Sequence, residues 1–401
     1  MKQDKFFFSI LLVIIPLYFL QGWLFDHGSV LSQGIVAIWL LIDMVYLIRY
    51  VRKGLWETVG RIFLIFWLLQ TLTWIITPML TESDIHGISW GNTYSIFKNI
   101  SIVFLSYFPF YVLKVDNAID KKQIKILAFI AMLCLIAAFF ISARESVFSR
   151  GTSDITNNGA YYLVVIIPLL GVFFDDFIEF FFYGGLAVLI LMGAKRGAIL
   201  CAFVELILFI YFYYKKTQKK RSFINYIWIL VALIIVSYVV VEVFNSSDYL
   251  QERYDQTRVG DSSLRDEIYS LAILRFDEQD LIAQLFGNGM SSTLSIIGGY
   301  AHQDWLELLI NNGVLGVFLY VLVFITLFVC YHNHKKSMSF MERFMFLSAT
   351  FGWLLRSMYS MGYVSIETSF YTIAFGFLCA KQRQQLINNN NEYLSNNSRR
   401  L

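Results

Sequence analysis

Apolar residues in this chain run in blocks rather than in alternation. Predominantly apolar stretches fall at 6–25, 30–50, 59–80, 95–113, 124–142 and 158–174. They continue at 177–192, 198–214, 223–244, 314–331, 340–360 and 363–380, with charged or Gly/Asn-rich breaks between them. A helix needs about 20 residues to cross the hydrocarbon layer, and most of these blocks approach that length. The pattern predicts an all-α polytopic membrane protein with about twelve transmembrane helices, nine within 1–244 and three within 314–380.

Between them lies 245–313, the one polar segment large enough to hold a site. Helical period returns there at 263–276, where Leu264, Ile268, Leu271, Ala272 and Leu274 fall largely on one face. Ser262 or Ser263 suits the N-cap, and Asp266 and Glu267 suit the first turn. This amphipathic helix is expected on the membrane surface, a geometry that can also hold Arg265 over a membrane cavity. A turn follows at Gly287-Asn288-Gly289, then a second helical spacing at 301–309, closed by Asn311-Asn312-Gly313. The tail, 381–401, becomes Asn-rich and reads as disordered.

Composition narrows the class. The chain is 57% hydrophobic and 18% aromatic, with 15% charged residues, against about 25% charged in soluble domains. That deficit excludes a string of soluble domains. A net charge of +3 without a basic stripe gives no argument for nucleic acid. Cys134, Cys201, Cys330 and Cys379 all lie inside apolar runs and spell neither a zinc cluster nor a disulfide framework. The first block is too long for a signal-peptide core and lacks a small-residue cleavage site, so it reads as an uncleaved span.

Loop charge orients the spans. One set of loops carries Arg49, Arg52, Lys53 and Arg61, then Lys114, Lys121, Lys122 and Lys125, then the Lys215–Arg221 cluster, then Lys335 and Lys336. By the positive-inside rule these are cytoplasmic, as are both termini. The acidic 175–179 connection departs from the rule locally. Cations that persist on the outer face, against this bias, need a local reason: Arg144, Arg150, the Lys195–Arg196 pair and those of 245–313.

Candidate chemistry collects on that face. His302 opens a half-apolar helix, whereas His27, His86, His332 and His334 fall in connecting loops. It reads either as an interfacial structural residue or as a site group. Arg196 either snorkels from a span end or faces a substrate, and Arg265 is either a solvated helix residue or a ligand contact. Arg356, near a span end, is expensive in lipid and so faces a polar cavity or anchors the helix end. Asp43, mid-span, has no partner that the sequence identifies. No Asp-x-Asp pair is present, the nearest being Glu278-Gln279-Asp280, so no metal ligands are expected.

These residues carry a resemblance. Gly193-Ala194-Lys195-Arg196-Gly197-Ala198 resembles the Ser-Arg-Gly-Ala signature of the O-antigen ligase and polymerase superfamily. Leu264-Arg265 with Tyr269 resembles its next element, and Gly287-Asn288-Gly289, His302 and Asn312-Gly313-Val314-Leu315-Gly316 resemble its ending. Asn157-Asn158 with Pro168 resembles its Asn-x-Asn opening. Lys195 replaces the usual Ser, Tyr269 replaces Trp, and Gln303 follows His302 where Asn is common, which leaves the subfamily open.

The resemblance implies a GT-C-like, inverting, metal-independent glycosyltransferase of the bacterial cytoplasmic (inner) membrane, without a cofactor and with its site on the periplasmic or outer face. Donor and acceptor would be oligosaccharides on undecaprenyl pyrophosphate, joined as a polysaccharide polymer in O-antigen or capsule assembly. Membrane lipid and a chain-length regulator protein are the implied partners. His302, Arg265 and Arg196 would be catalytic, the guanidiniums meeting the negative charge of the leaving pyrophosphate. His302 would take the acceptor's proton or, if protonated, bind phosphate. Asn158, Arg150, Arg356 and Asp304 would bind substrate. A ligase moving the glycan to lipid A-core or protein is the alternative. A lipid-linked oligosaccharide transporter, of another class, should instead carry polar residues through the mid-membrane.

Overall fold

The computed structural model describes residues 2–80 except 22 and 27, then 90–150, 157–173, 178–217 and 265–398, with scattered positions between 234 and 255. The protein is all-α. The first half comprises α1 (Lys2–Tyr18), α2 (Val30–Arg52), α3 (Thr58–Leu80), α4 (Trp90–Leu105), α5 (Tyr107–Val115) and α6 (Lys121–Arg150). The short α7 (Ala160–Val164) precedes α8 (Ile178–Met192) and α9 (Arg196–Thr217). The polar segment contributes α10 (Arg265–Asp277), α11 (Leu281–Phe286) and α12 (Ser292–Ile296). Three longer helices close the chain: α13 (Asp304–His334), α14 (Phe340–Tyr359) and α15 (Ser369–Ser398).

Among the described residues, six helices are long and apolar enough to cross a membrane: Val30–Arg52, Thr58–Pro78, Thr93–Val115, Lys121–Arg144, Arg196–Lys216 and Asp304–His334. The remaining apolar blocks take other forms or fall elsewhere. The 158–174 block is not one helix: α7 gives way to a 3₁₀ turn at Pro168–Val172. Pro168 has no N–H to continue a helical ladder, and the whole stretch from Ala160 to Phe173 is buried or nearly so. The 363–380 block starts with a 3₁₀ turn, Ile366–Thr368, before α15 begins. Most of the 223–244 block, Ser262 and Ser263, and His27 and His86 lie outside the described residues. His332 and His334 belong to the last turn of α13 rather than to a loop. The backbone of α15 stays helical through the Asn-rich tail to Ser398.

Close packing and aromatic contact join the helices. α14 packs along α9, α15 along α5, and α13 along α3. Gly376 makes the second contact possible, since a Cβ there would sit 2.4 Å from the Tyr107 carbonyl oxygen. At the centre Tyr320 and Phe324 of α13 meet Trp305, Trp353 and Phe66 with ring centroids 5.1–6.4 Å apart. Asp43 is partnered after all: Ser106 Oγ donates to Asp43 Oδ2 at 3.0 Å and accepts from Trp39 Nε1 at 3.0 Å.

Candidate functional site

A cavity of about 250 Å³ opens where five separate chain segments meet. Asn158 and Tyr161 come from the start of α7, Lys195 from the α8–α9 turn, and Arg265 from the first residue of α10. His302 comes from the turn before α13. The end of α14 and the loop after it give Arg356, Tyr359, Ser360, Ser365 and Glu367. Three cations thus face one carboxylate. Arg356, 1% exposed, donates to Glu367 Oε1 at 2.5 Å through Nη2 and lies 4.9 Å from the Tyr161 ring centroid. Its Nε and Nη1 have no acceptor among the described residues. A buried guanidinium with unused donors lining a cavity is an anion site in waiting.

Strained backbone presents two of these side chains. His302 has φ 54° and Ala194, just before Lys195, has φ 49°. Left-handed conformations cost non-glycine residues of order 1 kcal/mol or more and persist only where surrounding contacts impose them. For His302 those contacts are visible on both sides. Glu307, fully buried, accepts from Ala301 N at 2.5 Å and from Thr293 Oγ1 at 2.8 Å. Asp304, also fully buried, accepts from Tyr320 Oη at 2.6 Å and Tyr363 N at 3.1 Å. His302 itself is exposed. Partial burial and the charges of Lys195 and Arg265 hold its imidazole below the ordinary histidine value.

The glycines explain why these segments come so close. A Cβ on Gly197 would lie 2.2 Å from Tyr161 Oη and 2.7 Å from Tyr359 Cβ, so only glycine lets α9 rest against the cavity wall. Gly287-Asn288-Gly289 is a packing device: Asn288 N and Gly289 N donate to the Ile310 and Asn311 carbonyls at 3.0 and 3.1 Å. Gly313, at φ 63°, breaks α13 where a Cβ would lie 2.4 Å from the Leu285 carbonyl carbon. Asn311 and Asn312 are buried and lock this corner, Asn311 through Ser292 and Asn312 through Thr73.

Of the residues expected in a site, the structure gathers His302, Arg265, Arg356 and Asn158 around one cavity. Arg196 is the first residue of α9 but does not line the cavity; its neighbour Lys195 does. Asp304 lies behind the lining and braces the Gly362–Tyr363 turn beside Arg356. Arg150 ends α6, and its side chain lies outside the described residues. The sequence reading passed over Tyr161, Tyr359 and Glu367. Glu367 had a signal: a buried arginine in a span needs a partner, and Glu367 is the first carboxylate downstream of Arg356. The chain matches no protein-family model, and no curated protein emerges as its relative.

Proposed function

We propose that the protein is a multi-pass membrane glycosyltransferase that polymerises lipid-linked oligosaccharides, and that the cavity around His302 is its active site. The observation that carries this reading is the convergence itself. Three motif segments far apart in sequence deliver Lys195, Arg265 and His302 to one cavity, where Arg356 adds a fourth polar group. The volume is below the roughly 300–1,000 Å³ of pockets that enclose drug-sized ligands. It suits a pyrophosphate with one adjoining sugar, the lipid tail and the rest of the glycan remaining outside.

In this reading the acceptor hydroxyl oxygen attacks the anomeric carbon of the donor as the bond from that carbon to the pyrophosphate oxygen breaks. Arg265, Arg356 and Lys195 stabilise the charge gathering on the departing undecaprenyl pyrophosphate. The hydroxyl proton passes to His302. An imidazole whose pKa is depressed by desolvation and by neighbouring cations is neutral at pH 7, which favours the base over a protonated phosphate contact. Topology completes the proposal: about twelve spans in the bacterial inner membrane, termini cytoplasmic and the cavity on the outer face. A ligase would share the same donor site and differ in acceptor.

Transport is the less favoured class. The cations gather at one end of the helices, and Asp43 and Glu205, though buried within helices, do not line the cavity. The test is made in cells that depend on this protein for a surface polysaccharide. Arg265→Ala and His302→Ala are expected to abolish polymer while protein level and outward movement of the lipid-linked unit persist. Lost movement with intact sugar transfer would overturn the reading in favour of a transporter.

A further inference from the structure

The far end of α13 holds a second cleft, of about 360 Å³, lined by Glu57, Cys330, His334, Cys379 and Arg383 among others. It is remote from His302: Cys330 lies in the part of α13 beyond the Gly313 break, whose run from Val314 to Cys330 alone covers roughly 24 Å at 1.5 Å per residue. Cys330 lies on α13, Cys379 on α15 and Glu57 on the turn before α3. Their ligand atoms all lie within 4.8 Å of one another. The Cys330 and Cys379 sulfurs are 3.8 Å apart. Two thiolates bound at about 2.3 Å to one tetrahedral metal are separated by about 3.8 Å.

We propose that Cys330, Cys379 and Glu57 form a binding site for a thiophilic divalent cation of the zinc type. The carboxylate is already aimed. Tyr107 Oη donates to Glu57 Oε2 at 2.5 Å, Gly60 N to the same oxygen at 2.9 Å, and Val59 N to Oε1 at 2.8 Å. Hydrogen bonds of this kind orient metal-binding carboxylates and leave a lone pair for the ion. The fourth position opens on the cleft beside His334, whose Nδ1 is 3.7 Å from Cys330 Sγ. Two sulfurs favour zinc-like ions over magnesium or calcium, which take oxygen ligands. On binding, two S–H protons leave to water as two sulfur–metal bonds form. The ion then ties α13, α15 and the start of α3 together at the end of the bundle away from the cationic cavity. The site is independent of the glycosyltransferase reading.

The test uses full-length protein purified in detergent, stripped of metal and titrated with Co²⁺. Expected is one Co²⁺ per chain with a strong thiolate-to-cobalt charge-transfer band, displaced by Zn²⁺. The band is absent in the Cys330→Ser/Cys379→Ser double variant and unchanged in Cys134→Ser and Cys201→Ser. Tyr107→Phe weakens binding by roughly 10- to 100-fold, because it removes a hydrogen bond to the ligating carboxylate. If the double variant fails to fold, Cys330→Ala alone must still weaken the band. No charge-transfer band in folded wild-type protein overturns the site. So does a band that survives loss of both cysteines, and the two sulfurs are then simply packed thiols.

Discussion

The cavity around His302 and the cleft around Cys330 lie at opposite ends of α13 and are supplied with side chains in different ways. At the His302 end the helices are broken. α7 is one turn long, α13 is interrupted at Gly313, and His302 and Ala194 sit in left-handed backbone. The breaks at α7, Ala194 and His302 bring Asn158, Lys195 and His302 to the cavity, and buried carboxylates such as Glu307 and Asp304 hold the broken pieces in place. At the Cys330 end the groups come from regular helices and a capped helix start, with aromatic rings such as Tyr107 and Tyr111 stacked beside them. A charged site that must present donors to a ligand needs irregular backbone. A pair of sulfurs in contact needs only two helices in register.

If that contrast is right, substitutions at the first cavity should strike activity hardest and those at the cleft should strike it least. The largest effect is expected from His302→Ala. Loss of a general base lowers the transfer rate by about 10²- to 10⁴-fold, and because His302 is exposed the thermal unfolding of the protein should scarcely move. Cys330→Ser, measured in the same assay, should retain most of the wild-type rate.

Arg356 gives the next largest effect and separates anchor from ligand contact. Arg356→Ala strands the Glu367 carboxylate, at a cost of about 3–5 kcal/mol if the pair behaves as fully buried. Since Glu367 retains some exposure, the lower end is expected. The double variant Arg356→Met/Glu367→Gln should recover most of that stability in thermal unfolding and none of the activity. Recovered activity would make Arg356 an anchor only.

Two glycines make a matched pair. Gly197→Ala and Gly376→Ala each place a Cβ within 2.4 Å of a neighbouring atom, and overpacking of this sort costs about 1–3 kcal/mol. Both should lower the unfolding temperature, but Gly197→Ala alone should raise KM for the lipid-linked donor, because it displaces the Tyr161 and Tyr359 wall. Equal kinetic effects would show that the cavity wall has no special role.

The smallest effect is a displacement in pH. In the proposed mechanism neutral His302 is the active form, so rate falls as pH drops through its pKa, which lies below the ordinary 6.5. Wild-type activity should therefore hold down to and below pH 6.5. Lys195→Met removes one of the repelling charges and should shift the acid limb upward toward 6.5. A downward shift would contradict the assignment.

The two ends also differed in how much of them the sequence disclosed. Arg265 stood out because cations survive on a face where loop charge opposes them, His302 because it opens a half-apolar helix in the outer segment, and Arg356 because an arginine is expensive in lipid. Choosing between Lys195 and Arg196 was beyond the sequence, since neighbouring residues at a helix start point about 100° apart and the left-handed Ala194 decides which one meets the cavity. Asp304, two residues after His302, is expected from the resemblance to bind substrate, yet its burial against Tyr320 makes it a brace. The cleft was invisible in sequence. Glu57, Cys330 and Cys379 come from three elements without any recurring spacing, and the close contacts that unite them exist only in the packed bundle. Among the described residues most apolar blocks are helical, but their pattern did not announce that Pro168 turns one block into a buried 3₁₀ corner.

The most direct test of the central claim uses purified protein and a single lipid-linked repeat unit, with no other acceptor, resolved on a gel. The account predicts a ladder of lipid-linked products that disappears with His302→Ala. Absence of any ladder from folded protein that still binds the lipid-linked unit would contradict polymerisation, leaving a ligase that requires a different acceptor, or a transporter.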